Sequence, residues 1–180
     1  LGAQSNSSYF GYFKELINSL PKYILEQTRV RPKNAIAVGK PARVSPQQIS
    51  ELLGNLVEID TGGSSLSEMQ SQNRLSVVTY NETTIPTNLL AGYPTVAMWD
   101  PKYVRLTSTA ATIYDELFKA KILHYTPESA AQHIADIWEN VDFWWTSEEV
   151  LQARETFCEN FARHSKFPAL EVAKALADYR

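Results

Sequence analysis

Asn81, Thr83 and Thr84 sit between two apolar runs in the stretch VVTYNETTIPTNLLAGYPTVAMWDP, Val77 to Pro101. Hydroxyls and a carboxamide gathered ahead of a helical pattern offer hydrogen-bond donors to an anion. A helix starting near Thr84 adds unpaired backbone N–H groups and the positive end of its dipole, which together make a cradle for a diphosphate. The same spacing describes a helix that Thr84 simply caps, and spacing leaves both readings open. Arg29 and Arg31 in EQTRVRP are predicted to share one strand face. There they could grip phosphate in a bidentate way or form surface ion pairs.

Other chemistry finds little support. TGGSSLSE, Thr61 to Glu68, matches neither the dinucleotide nor the P-loop fingerprint and reads as a surface turn. His124, His133 and His164 are scattered, and Glu128 stands five residues from His133, off its helical face, so no metal site is expected. The single cysteine, Cys158, excludes an internal disulfide framework and a cysteine-cluster zinc site. Flanked by Phe157 and Phe161 at helical spacing, it reads as a packed thiol in a reducing compartment. The aromatic stretch DIWENVDFWWTSEEV carries Trp138, Phe143, Trp144 and Trp145, which read as a seal between helices and core.

The elements that must position these groups alternate between strand and helix. A helix is expected from about Tyr9 to Ser19, then a strand through KYILEQTRVRP ending at Pro32. AIAVGKPARV is ambiguous, and SPQQISELLGN reads as a helix capped by Ser45. LVEID, LSVVTY and PTVAMW read as strands; Ser65 and Glu68 stand at capping-box spacing, and Gly92 closes the helix that Thr84 begins. Helices follow over roughly 107–120, 127–138, 148–163 and 168–179, with KILHY a short edge strand. Strands joined through helices must pair in parallel, which predicts an α/β, Rossmann-like three-layer domain with a helical C-terminal part. Its segments would be an N-terminal helix over 1–20, a Rossmann-like core over 21–125 and C-terminal helices over 126–180 packed on it. Ligands of such sheets lie beyond the strands' carboxyl ends. That places Arg29 and Arg31, Asp60 through Ser65, Asn81 through Thr84, and Trp99 with Asp100 at the crevice.

Composition is that of a globular chain, 44% hydrophobic and 21% charged across 180 residues. A net charge of -3 supplies no field for nucleic acid or an anionic membrane. No apolar run approaches the ~18 residues of a membrane span, so no transmembrane segment is expected. The start, LGAQSNSSYFGYF, lacks an initiator Met and the pattern of a signal peptide, which suggests a processed piece.

The stretch Val77 to Pro101, followed by ELFKAKILHYTPESAAQHIADIWENVDFWWTSEEVLQARETFCENFAR, resembles the C-terminal part of sugar transferases from bacterial surface-polysaccharide clusters. These are similar to GT-B glycosyltransferases, whose two Rossmann-like domains face each other across a cleft. The pattern runs strand, Asn/Ser-x-Thr-Thr, helix, small-residue turn, Pro-Thr, apolar strand, Trp-Asp-Pro. The resemblance covers roughly residues 16–163 and implies a domain that binds a nucleotide-diphosphate sugar as substrate, with no metal or other cofactor. It implies that Asn81, Thr83 and Thr84 face the diphosphate, with Arg29 and Arg31 near the cleft. Where the family carries a ribose-holding Glu this chain has Thr87, followed by Asn88. It further implies that activity needs the missing N-terminal GT-B domain or another chain, and that the protein works in the cytoplasm, at the inner face of the membrane. The departure at Thr87 supports an alternative, a degenerate or non-catalytic Rossmann-like domain serving as a partner-binding module.

Overall fold

The computed structural model describes residues 6–32, 46–54, 56–60, 65–163, 165 and 167–178. In chain order the elements are α1 (Asn6–Ser19), α2 (Lys22–Leu25), β1 (Arg29–Val30), α3 (Pro46–Leu53), β2 (Glu58–Ile59), α4 (Leu66–Gln72) and β3 (Ser76–Val78). There follow α5 (Thr84–Ala91), β4 (Thr95–Met98), α6 (Ser108–Lys119), β5 (Leu123–His124) and α7 (Pro127–Ile137). After a 3-10 turn at Trp138–Asn140 come α8 (Val141–Trp145), α9 (Glu148–Phe161) and α10 (Pro168–Asp178). The fold is mixed α/β, mostly helical, with short parallel sheets. The AIAVGKPARV segment, the Ser45 cap, the glycines of TGGSS and His164 lie outside the described residues.

Strands pair in parallel throughout the described chain, as their helical connections require. β1 meets β2 with Arg29 opposite Glu58 and Val30 opposite Ile59. In the other sheet, ordered β3-β4-β5, Val78 lies beside Ala97, and Met98 beside His124. Every residue of β4 is buried, as expected of a parallel strand covered on both faces. Its alternation divides the core. Val96 and Met98 join Leu16, Ile17 and Leu20 of α1, Ile49 and Leu53 of α3, and Ala130, Ala131 and Ile134 of α7. Ala97 and, just past the strand, Trp99 join Ile85 and Leu89 of α5, Leu117 of α6 and Phe157 of α9.

The boundaries follow local chemistry. Ser65 accepts from the Glu68 N–H at 3.2 Å while its own N–H donates to Glu68 Oε2 at 2.6 Å, completing the predicted capping box of α4. Those bonds favour the ionised form and hold the Glu68 carboxyl below its ordinary range. Ser65→Ala is expected to destabilise the fold by about 1 kcal/mol, read as a lower urea midpoint at unchanged m-value. Gly92 ends α5 at φ 78°, a left-handed conformation suited to glycine. Behind it the Trp145 indole donates to the Gly92 carbonyl at 2.8 Å, and the Arg154 guanidinium lies 4.2 Å from the Trp145 ring.

Three expectations change. KYIL is a helical turn, not the first half of a strand: Pro21 leads it, and the Glu26 N–H bonds to the Lys22 carbonyl at 3.0 Å. Pairing with β2 begins at the Thr28 carbonyl, which accepts from the Glu58 N–H at 3.1 Å, so the residues before Thr28 close their own hydrogen bonds. The first helix begins at Asn6, ahead of Tyr9. VDFWW forms α8, with Trp138 and Trp145 buried as a packing seal should be, while Phe143 stands 77% exposed.

Candidate functional site

The carboxyl ends of β3, β4 and β5 stand level, and each leads into a hydrogen-bonded turn or helix start. After β3 comes Thr79 through Thr83, which turns the chain into α5. After β4 come Trp99 and Asp100; after β5 come Tyr125 and the Thr126 cap of α7, whose hydroxyl accepts from the Ser129 N–H at 3.2 Å. Trp99 is the wedge beneath this rim, packed edge-on against Tyr114 at 5.6 Å and Tyr125 at 6.3 Å.

Asn81, Thr83, Thr84 and Thr87 are brought together at the start of α5, but not in the predicted geometry. The N-cap is Thr83, not Thr84; its backbone is helical (φ −58°, ψ −18°) and its side chain makes no capping bond. The reason lies in the donors a cap would use. The Ile85 N–H already bonds to the Glu82 carbonyl at 3.2 Å, and Pro86 has no N–H. The positive end of α5 is thereby reduced to the N–H groups of Thr83 and Thr84, for which no acceptor stands among the described residues. Asn81 Oδ1 accepts from the Tyr114 hydroxyl at 3.0 Å, which fixes the turn to α6 and leaves the amide NH2 as its donor end. The Thr87 hydroxyl donates to the Thr83 carbonyl at 2.7 Å. Asn88, the second candidate for ribose contact, is wholly buried and faces Gln70, Ser76 and Thr95 instead.

Arg29 and Arg31 belong to the other sheet, where each meets an acid of β2 or its end. Arg29 Nη2 lies 2.9 Å from Glu58 Oε1, directly across the strand pair and exposed. Arg31 Nη1 lies 3.6 Å from Asp60 Oδ2 and 3.0 Å from the Met69 sulfur. The surface-pairing reading therefore accounts for Arg29, while Arg31 points from the end of β1 toward α4.

Sequence reasoning missed the feature that dominates the rim, the passage of α1 across it. The Tyr9 hydroxyl lies 2.7 Å from Thr79 Oγ1, and the Tyr12 hydroxyl donates to the Tyr125 carbonyl. One helix thus bridges the ends of β3 and β5. Burial raises the Tyr9 phenol above its ordinary range, against the opposing effect of the Thr79 bond. Burial, then the charges of Asp100, Glu128 and Glu15, push the Tyr12 phenol up to about 12. Glu15, hydrogen-bonded to and repelled by Glu128, is raised above the usual carboxylate range. The signal in the sequence was slight: Tyr9 and Tyr12 share a helix face with apolar residues yet carry polar tips.

No group of three or more His, Cys, Asp or Glu among the described residues could hold a metal ion, and no helix there is long and apolar enough to cross a membrane. Cys158 packs against the core beside Phe157, and burial raises its thiol, the opposite of an activated nucleophile. A family model described as LIC12162 family transferase matches residues 3–176. No curated protein and no solved structure matches the chain.

Proposed function

The chain belongs to the LIC12162 family of transferases, and we propose that it is the nucleotide-sugar-binding domain of a GT-B glycosyltransferase in bacterial surface-polysaccharide assembly. The observation that carries the reading is the start of α5 at the carboxyl end of β3, with the N–H groups of Thr83 and Thr84 left over and hydroxyls beside them. In a Rossmann-like layer this is where a diphosphate settles. Thr83, Thr84 and the Asn81 amide would donate to its oxygens. Arg31 would offset charge on the departing nucleotide, and Thr87 would accept from a ribose hydroxyl, since its own proton is engaged with Thr83. Transfer itself would need a facing domain or a second chain at the cytoplasmic side of the membrane.

Two observations favour a second reading, a degenerate domain that binds a partner protein. Tyr9 and Tyr12 occupy the rim, and the ribose position holds a neutral threonine. Thermal unfolding with a panel of UDP-, GDP-, CMP- and TDP-sugars separates the two. At least one should raise the melting temperature under the first reading, and all should leave it unchanged under the second. Thr84→Val sharpens the test. Its side chain caps nothing, so stability should stay within about 0.5 kcal/mol, while losing a bond to a charged oxygen should weaken nucleotide affinity roughly tenfold. Titration calorimetry showing unaltered affinity would remove this turn from the site.

A further inference from the structure

We propose that the segment from Trp138 to Trp145 is a self-complementary surface through which two copies of this chain form a two-fold dimer. It lies at the opposite end of the sheet from the rim. Arg74, just ahead of β3, donates to the Trp138 carbonyl at 3.3 Å. The Trp145 indole bonds Gly92, ahead of β4, and the Trp144 indole donates to the Ala120 carbonyl, ahead of β5, at 3.2 Å. These ties fasten the 3-10 turn and α8 across the amino ends of the strands. A partner seated there leaves the carboxyl ends open.

Three features coincide on this segment. The first is Phe143, the most exposed large apolar side chain among the described residues. Val141 and Trp145, buried on either side of it in the sequence, fix α8 so that this ring faces outward. A lone exposed ring is ordinary on a protein surface and decides nothing by itself. The second is a cleft of about 260 Å³ in the residues leading up to it, lined by Arg74, Trp138, Glu139, Asn140, Val141 and Asp142. A cavity of about 150 Å³ is enough for a benzene ring, so a phenyl side chain fits. The Arg74 guanidinium, exposed and 4.9 Å from the centre of the Trp138 ring, is a cation on which an arriving ring can stack. The third is charge. Among the described residues Arg74 forms no ion pair, and neither do Glu139 and Asp142 on the same walls.

The occupant follows from where these features sit. Projecting ring, cleft and unmatched charges of both signs belong to one stretch of surface. A two-fold axis beside Phe143 sets the ring of each copy into the cleft of the other, and brings Arg74 of each against Asp142 of the other. A different protein would have to supply its own ring and its own opposed charges; a second copy already carries both.

Sedimentation equilibrium of the full chain over a dilution series tests this. The unaltered protein should show a reversible monomer–dimer equilibrium. Phe143→Ala removes a ring that its own fold leaves exposed, and should raise the dissociation constant about 30-fold or more. Arg74→Glu sets like charges together in both contacts and should leave a monomer, as should Asp142→Arg. Mixed in equal amounts, these two variants should pair again, since each contact then joins opposite charges. That restoration separates lost pairing from damage to the fold, which mixing does not repair. An unaltered chain that stays monomeric throughout the series overturns the proposal and leaves the patch to another protein. So does a dimer that Phe143→Ala leaves unchanged, or charge variants that associate no better mixed than alone.

Discussion

Replacing Asn88 with alanine should lower stability by about 3 kcal/mol or more, the largest loss expected from any polar substitution in this fold. Asn88 is wholly buried. Its Oδ1 accepts from Gln70 Nε2 at 2.5 Å, and its NH2 donates to Ser76 Oγ at 3.1 Å and Thr95 Oγ1 at 3.2 Å. Thr95 passes its own proton to the Tyr93 carbonyl at 2.8 Å. One side chain thus ties α4, β3, α5 and β4 together inside the sheet's cover. Truncation strands the Gln70 amide and one lone pair of Thr95, both buried, and opens a cavity beside them. A neutral hydrogen bond contributes only about 1 kcal/mol net, but a buried group left without its partner costs about 1–3 kcal/mol. The second figure decides the size of the effect. Equilibrium urea unfolding measures it, and Thr95→Val in the same background should add less than its separate loss, because the two share a bond. A loss under about 1 kcal/mol would mean that the network is not under strain from burial. The effect should reach the rim as well, since these bonds orient α5 and with it the start at Thr83.

Much of this framework was legible in the residues. Apolar runs at Ser76–Val78 and Thr95–Met98, joined through a helix that Gly92 closes, allow only parallel pairing, and that pairing is present. The Ser65 capping box formed as its spacing foretells, and Thr107 and Thr126 likewise accept from the N–H three residues on. Thr84 failed as a cap because the helix already includes it, and the donors it would accept from are gone: Pro86 lacks a proton and the Thr87 N–H bonds to the Thr83 carbonyl at 3.2 Å. That much was readable in principle from Pro86. The alternation through residues 22–31 misled because a strand needs a partner, and among the described residues β2 reaches back no further than the Thr28 carbonyl. The passage of α1 over the strand ends left only the slight mark of two phenols on an apolar helix face. It depends on contacts between residues 70 and 113 positions apart, Tyr9 to Thr79 and Tyr12 to Tyr125, which no local pattern encodes.

Acidification from pH 7 to 5 should destabilise the fold by about 1–2 kcal/mol through His133, before most carboxylates titrate. His133 is buried, 5% exposed, with the Trp144 ring edge-on at 4.9 Å and the His124 ring stacked at 5.2 Å. Its Nε2 is buried and has no hydrogen-bond partner among the described residues. Burial first, then the nearby His124 and Lys121, lower its pKa to about 4, with Asp136 opposing. His124 is lowered too, chiefly by burial, although its nitrogens bond Ser129 Oγ at 2.8 Å and the Lys121 carbonyl at 2.9 Å. The direction follows from linkage. Above the ordinary value of 6.5 both states hold His133 neutral and pH has no effect. Between there and about 4 the unfolded chain takes the proton and the folded one refuses it, so stability falls as pH falls. Below that range both are protonated and the loss levels off. Urea midpoints at pH 7 and 5 read the slope, and His133→Leu, which fills the same apolar niche without titrating, should remove most of it. An undiminished slope in that variant would assign the fall to other groups. The consequence extends to the rim: His124 ends β5 and precedes Tyr125, whose carbonyl holds Tyr12. Protonating this pair strains the strand end on which α1 is fastened, so acid should loosen α1 before it unfolds the sheet.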